Sequence, residues 1–95
     1  MEREVYRYTL DGQVSMLDAE ETLLLALLGT ESIYGAVRTR LAVAHSMDEA
    51  GRAFVIDGAT KVGKDFNRLF AGFLSREFGQ DSFRVERFTD LQGVT

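Results

Sequence analysis

Hydrophobic and polar positions change period several times along the chain, and each change marks an element. Val5, Arg7 and Thr9 alternate with Tyr6, Tyr8 and Leu10. A period of two, rich in aromatic and β-branched residues, predicts a strand. Asp11-Gly12 follows, a pair suited to a type I′ turn, whose two central residues need positive φ. Val14 to Leu17 resume an extended pattern, so residues 4–17 read as the opening hairpin. Asp18-Ala19-Glu20-Glu21 places acids where the positive end of a helix dipole favours them. A helix is expected over 18–29, with Gly29 as its stop. Leu23, Leu24, Leu25, Leu27 and Leu28 fall on nearly all its sides. Such a helix is either buried all round or carries an exposed apolar stripe.

Thr30 or Ser32 can cap a second helix, in which Ile33, Val37, Leu41, Ala44 and Met47 recur at helical spacing and Gly51 marks the end. Arg38, His45 and Glu49 fall off that stripe. Ala53-Phe54-Val55-Ile56 is a short continuous apolar run, the pattern of a central strand buried on both faces. Asp57-Gly58 closes it. Phe66, Leu69, Phe70, Phe73 and Leu74 form the clearest amphipathic stripe in the chain, continued by Phe78 and stopped by Gly79. Phe83 and Val85 alternate with Arg84 and Glu86 in a last strand, and the polar stretch 89–95 is expected to fray. The fold class is therefore α/β: a small mixed sheet of four to five strands with about three helices, in the order β-β-α-α-β-α-β. The strand–helix–strand sequence at the end predicts a parallel pair joined by a right-handed crossover.

Composition narrows this picture. Ninety-five residues suit one domain, 1–95, with a modest core. The absence of cysteine removes disulfides, a thiol nucleophile and cysteine-ligated metals, and fits a reducing, cytoplasmic setting. No proline is present, so polyproline ligands and Pro-rich linkers are ruled out. Met1-Glu2-Arg3-Glu4 is charged, which argues against a signal peptide. The longest apolar run, Leu23 to Leu28, is too short to span a bilayer. The formal charge of −4 argues against a nucleic-acid partner, because duplex binders normally present a basic face.

Candidate chemistry is sparse. Gly58-Ala59-Thr60-Lys61-Val62-Gly63-Lys64-Asp65 follows G-x-x-x-x-G-K between a strand and a helix, the context of a phosphate-binding loop. That gives one candidate set, Gly58, Gly63 and Lys64, for a phosphate or nucleotide. Against it, the magnesium-binding hydroxyl of the motif is replaced by Asp65, whose negative charge stands near any phosphate. Asp57, at a strand end, has the placement of a phosphate-accepting acid, but a turn-starting acid is the simpler reading. His45 is the sole histidine and lacks the company a transition-metal site needs. The serines have no nucleophile-elbow context, and no spacing marks a carboxylate pair. The expectation is a protein without enzymatic activity or cofactor.

Ser32, Gly35, Val37-Arg38 and Leu41, then Phe54-Val55-Ile56-Asp57, Val62-Gly63-Lys64-Asp65-Phe66, Leu69-Phe70 and Phe78-Gly79 together resemble the STAS-like domains, relatives of anti-sigma-factor antagonists. The resemblance covers Ser32 to Phe88. It implies a mixed sheet packed by helices and a role in protein–protein switching, with a kinase-type ATPase as partner. In the antagonist branch a serine or threonine opening the helix after the central strand is phosphorylated; Gly63-Lys64-Asp65-Phe66 offers no hydroxyl there. The reading is then a regulatory module binding a partner protein through Asp57, Lys61, Lys64 and Asp65. Two alternatives stand beside it: the phosphate-binding loop, and a homodimer joined through Leu23–Leu28.

Overall fold

Asp11-Gly12 turns the chain into a helix rather than back into a hairpin. The structure is a computed structural model that describes residues 2–91. Its elements are β1 (Glu2–Leu10), α1 (Met16–Tyr34), α2 (Ala36–Ala42), β2 (Ala44–Asp48), β3 (Ala53–Asp57), α3 (Lys61–Phe78), a 3-10 turn at Gln80–Ser82, and β4 (Phe83–Leu91). The expected α/β class, with four strands and three helices, is present. The second strand, however, follows the second helix instead of pairing with β1 across a tight turn. Positive φ among the described residues occurs at Gly35, Arg52 and Gly79, not at Gly12, so a type I′ turn does not form. Instead the Gly12 amide donates to Asp11 Oδ1 (2.8 Å), and Ser15 caps α1 by accepting from the Asp18 amide at 3.2 Å. Met16 and Leu17, expected in a strand, form the first turn of that helix.

Three further boundaries differ from the sequence expectation. Gly29 does not stop α1, which runs on to Tyr34 and ends at Gly35, φ 87°. Gly29 serves the packing instead: a Cβ there would lie 3.3 Å from Leu69 Cδ1 on α3, so its bare backbone lets the two helices approach closely. Residues 44–48 are a strand, not the end of the second helix. Ala44 and Met47 satisfy a helical spacing of three, but β2 alternates, with His45 opposite Ile56 and Met47 opposite Phe54. Thr89 to Leu91, expected in the polar tail, belong to β4 and pair opposite Glu4 to Glu2. Residues 92–95 lie outside the described residues.

The sheet order is β2-β3-β1-β4, and every neighbouring pair is antiparallel. β3 and β4 do run in the same direction, as a crossover through α3 requires, but β1 lies between them. The same holds for β1 and β2, with β3 between. Two such split βαβ units, interleaved, make the ferredoxin-like arrangement.

The helices cover one sheet face. Tyr8, Leu10, Phe54 and Ile56 from the sheet meet Phe66, Phe70 and Leu74 of α3 and Ala19, Leu23 and Ala26 of α1. Phe70 sits edge-on to Tyr8 (4.9 Å, 67°) and Phe54 (5.6 Å, 73°). Val55 is half-buried on the opposite, uncovered face, so β3 is not buried on both sides. Arg52, at the β2–β3 turn, donates to the carbonyls of Asp11 and Val14 and pins the β1–α1 connection.

Candidate interaction surface

α3 begins with a tightly bonded turn. The Thr60 hydroxyl accepts from the Gly63 amide (2.9 Å) and donates to the Ala42 carbonyl (3.0 Å), so one side chain caps α3 and ties it to the end of α2. The Ala59 amide donates to Asp57 Oδ1 at 2.9 Å, the Gly58 amide to the Glu4 carbonyl at 2.8 Å, and the Lys64 amide to the Thr60 carbonyl at 2.9 Å. A phosphate cradle needs such amides aimed outward. In this turn they are engaged within the fold. The two glycines have packing roles: a Cβ on Gly58 would lie 2.7 Å from the Tyr6 ring, and one on Gly63 would lie 2.7 Å from the Asp57 carbonyl oxygen. Of the alternative phosphate-loop set, Gly58 and Gly63 are thus packed against the fold and Lys64 is exposed.

What the turn does assemble is a cluster of cations around one acid. The Tyr34 hydroxyl, from the end of α1, donates to Asp65 Oδ2. Lys61 Nζ stands 3.8 Å from the same carboxylate and Arg68 Nη1 3.9 Å from its other oxygen. The Tyr34 hydrogen bond first, then the two cations, hold the Asp65 carboxyl below its ordinary range. Across the tyrosine ring lies the Arg38 guanidinium of α2, 4.9 Å from the centroid. Stacking a guanidinium on an aromatic face is favourable in itself and fixes where the charge is presented.

Of the four residues expected to bind a partner, Lys61, Lys64 and Asp65 share the first turns of α3, with both lysines exposed. Asp57 lies apart, at the end of β3, lining a shallow depression on the uncovered sheet face with Val5, Ala44, Ser46 and Val55. The sequence reading missed Tyr34, Arg38 and Arg40, because they sit before and within the short α2, some twenty residues from the loop. It also missed how α2 is oriented. Thr39 is fully buried, while Val37 (74% exposed) and Leu41 (85%) project outward. Lys61, Arg68 and Arg38 thus gather around Asp65 and Tyr34, with Arg40 exposed on α2 beside Val37 and Leu41 and Lys64 exposed at the start of α3, on a protein whose formal charge is −4.

α1 carries the opposite character. Its exposed side presents Leu17, Leu24, Leu25 and Leu28. Its charged residues are Asp18, Glu20, Glu21 and Glu31, with no Lys or Arg anywhere between Met16 and Tyr34.

His45 is exposed on β2, with its ring 5.8 Å from that of Phe66, rather than on a helix. No group of three or more His, Cys, Asp or Glu among the described residues could hold a metal ion. No helix of the described residues is long and apolar enough to cross a membrane. Compared with known proteins, the chain matches no family model, no curated sequence and no solved structure.

Proposed function

We propose that this chain is a non-enzymatic interaction module whose α2–α3 surface binds an acidic, apolar-faced helix of a partner protein. One observation carries the reading. Val37 and Leu41 stand exposed one helical turn apart, flanked by Arg38, Arg40, Lys61 and Lys64, in an otherwise acidic protein. An exposed apolar pair rimmed by one sign of charge fits a helix of complementary pattern, anchored by its apolar stripe and steered by its acids. The net negative charge disfavours the two other polyanionic partners, nucleic acid and anionic membrane, whose long-range fields act on the whole molecule. Arg38 and Thr60 are held by contacts within the fold, so the surface is presented rigidly and little ordering cost accompanies binding. The kinase-type ATPase implied by the STAS-like resemblance is one candidate partner.

The test compares immobilised wild type with Lys61→Ala/Lys64→Ala and with Val37→Ser/Leu41→Ser for capture of partners from native lysate. Thermal melts run in parallel. All four side chains are exposed, so melting should be nearly unchanged while capture falls. Capture at wild-type level by both variants would remove this surface as the binding site.

A further inference from the structure

Large leucines and small residues occupy α1 in the reverse of the usual arrangement. Of its five buried residues, Ala19, Thr22, Ala26 and Thr30 are small and only Leu23 is large. Leu17, Leu24, Leu25 and Leu28 are exposed. Small inner residues follow from the close approach of α1 to α3 at Gly29 and Leu69. Leu25 borders Phe73 of α3, while Leu17, Leu24 and Leu28 lie outside the core. Leu17, Leu24 and Leu28 are spaced by seven and four, the separation of one stripe along a helix. Glu20 and Glu21 separate Leu17 from Leu24, and Leu24, Leu25 and Leu28 group together; exposed apolar side chains grouped on one helix face and rimmed by charge mark an interface.

The rim of the stripe limits its occupant. The charged residues of α1 itself, Asp18, Glu20, Glu21 and Glu31, are all negative, with Arg76 and Glu77 of α3 bordering Leu25, so laying α1 on the α1 of another copy would bring mostly carboxylates against carboxylates. The α2–α3 surface has the complementary pattern: exposed Val37 and Leu41 with Arg38, Arg40, Lys61 and Lys64 around them. We infer that the chain self-associates by docking the leucine face of α1 of one copy onto the basic α2–α3 surface of a second copy. The inference rests on reading α2–α3 as a docking surface, and it names a second copy's α1 as a helix that surface accepts. Reciprocal docking closes a two-fold pair; docking in one direction only extends to a ring or chain. In both cases the same two surfaces meet, and the attraction weakens as salt screens it.

Charge reversal provides the test, because complementary variants should rescue one another. Wild type is followed by sedimentation velocity from low to high micromolar concentration, at low and high salt. Glu20→Lys/Glu21→Lys makes the α1 rim basic, and Arg40→Glu/Lys64→Glu makes the opposing surface acidic. Circular dichroism confirms that each is folded. The wild type should associate in a concentration-dependent manner, less so in high salt. Each variant alone should sediment as a monomer, and an equimolar mixture of the two should associate again. A wild type that remains monomeric throughout, or a mixture that fails to recover association, overturns the self-docking. The lysate capture experiment reads the heterologous partner separately, so loss of self-association with capture retained leaves the proposed function standing.

Discussion

α1 and α3 are the two long helices on the same sheet face, and they divide their apolar residues differently. α3 places Val62, Phe66, Phe70 and Leu74 in the core, with Leu69 and Phe73 partly buried beside them. Its polar residues Lys64, Arg68 and Arg76 face outward. α1 buries mostly small residues and exposes four of its six leucines. One helix is therefore explained by the fold it belongs to, while the other carries an apolar face for which the fold has no use. The difference teaches that apolar content alone does not locate a core. How closely the helices approach decides which sizes fit between them, and surplus bulk is turned outward.

The strongest way to break this comparison is to empty the core side of α3. Phe70→Ala removes a fully buried ring wedged between Tyr8 and Phe54. It should cost about 3–5 kcal/mol of unfolding free energy, measured by urea titration. A smaller change would show that the surrounding rings close the space. Next comes the helix crossing itself. Gly29→Val forces a branched side chain against Leu69 and should destabilise by about 1–3 kcal/mol, as overpacking does. A neutral effect would show that the close approach is not what selects small residues on α1.

A third test uses pH. The Tyr8 phenol donates to Asn67 Oδ1 at 2.6 Å, and burial first, then the neighbouring Tyr6, push its pKa well above the ordinary phenol value. Ionisation is thus harder in the folded protein than in the unfolded chain. The associated stability is complete below the ordinary phenol pKa of about 10 and is lost as pH rises past it. Burial and Glu4 raise the Tyr6 phenol as well, so unfolding titrations should show a decline above that pH which Tyr8→Phe makes shallower, at a neutral-pH cost of about 1 kcal/mol for the lost hydrogen bond. An alkaline decline equally steep in the variant would assign it to other groups. The smallest effect is expected on the outer side of α1. Leu24→Gln and Leu28→Gln should each change the unfolding free energy by no more than about 0.5 kcal/mol, the range for surface positions. A loss of several kcal/mol would mean that these leucines belong to the core.

Legibility in the sequence followed the same division. α3 and its Gly79 stop were readable because one stripe, one period and one cap agree. β1 and the middle of α1 were readable too, but residues 11–17 and the end of α1 point locally away from the final structure. Asp11-Gly12 is a good hairpin turn, yet no partner strand follows it: Ser15 captures the Asp18 amide and nucleates a helix instead. Gly29 looks like a helix stop, but its lack of a side chain is used against Leu69. Residues 44–47 fit two periods at once, and only pairing with β3 chooses between them. The candidate surface was half legible. Lys61, Lys64 and Asp65 lie close together at the start of one helix, whereas Tyr34 reaches Asp65 from the end of α1 and Arg38 reaches the Tyr34 ring from α2. Of the glycines in the STAS-like pattern, Gly35 and Gly79 follow helix ends at positive φ, and Gly63 lies against the Asp57 carbonyl.

The position of β1 also governs how quickly this molecule can form. It is the first strand of the chain and lies inside the sheet, yet both of its partners, β3 and β4, come much later. Its longest ladder joins Glu2 to Leu91. No contact local in sequence can hold β1 in register, so the entropy of closing nearly the whole chain is lost before that ladder repays it. Folding is then expected on the millisecond-to-second scale of non-local sheets rather than the microseconds of helix bundles. On the ribosome the alternating face of β1, with Tyr8 and Leu10, stays unpaired until β3 and finally β4 have emerged.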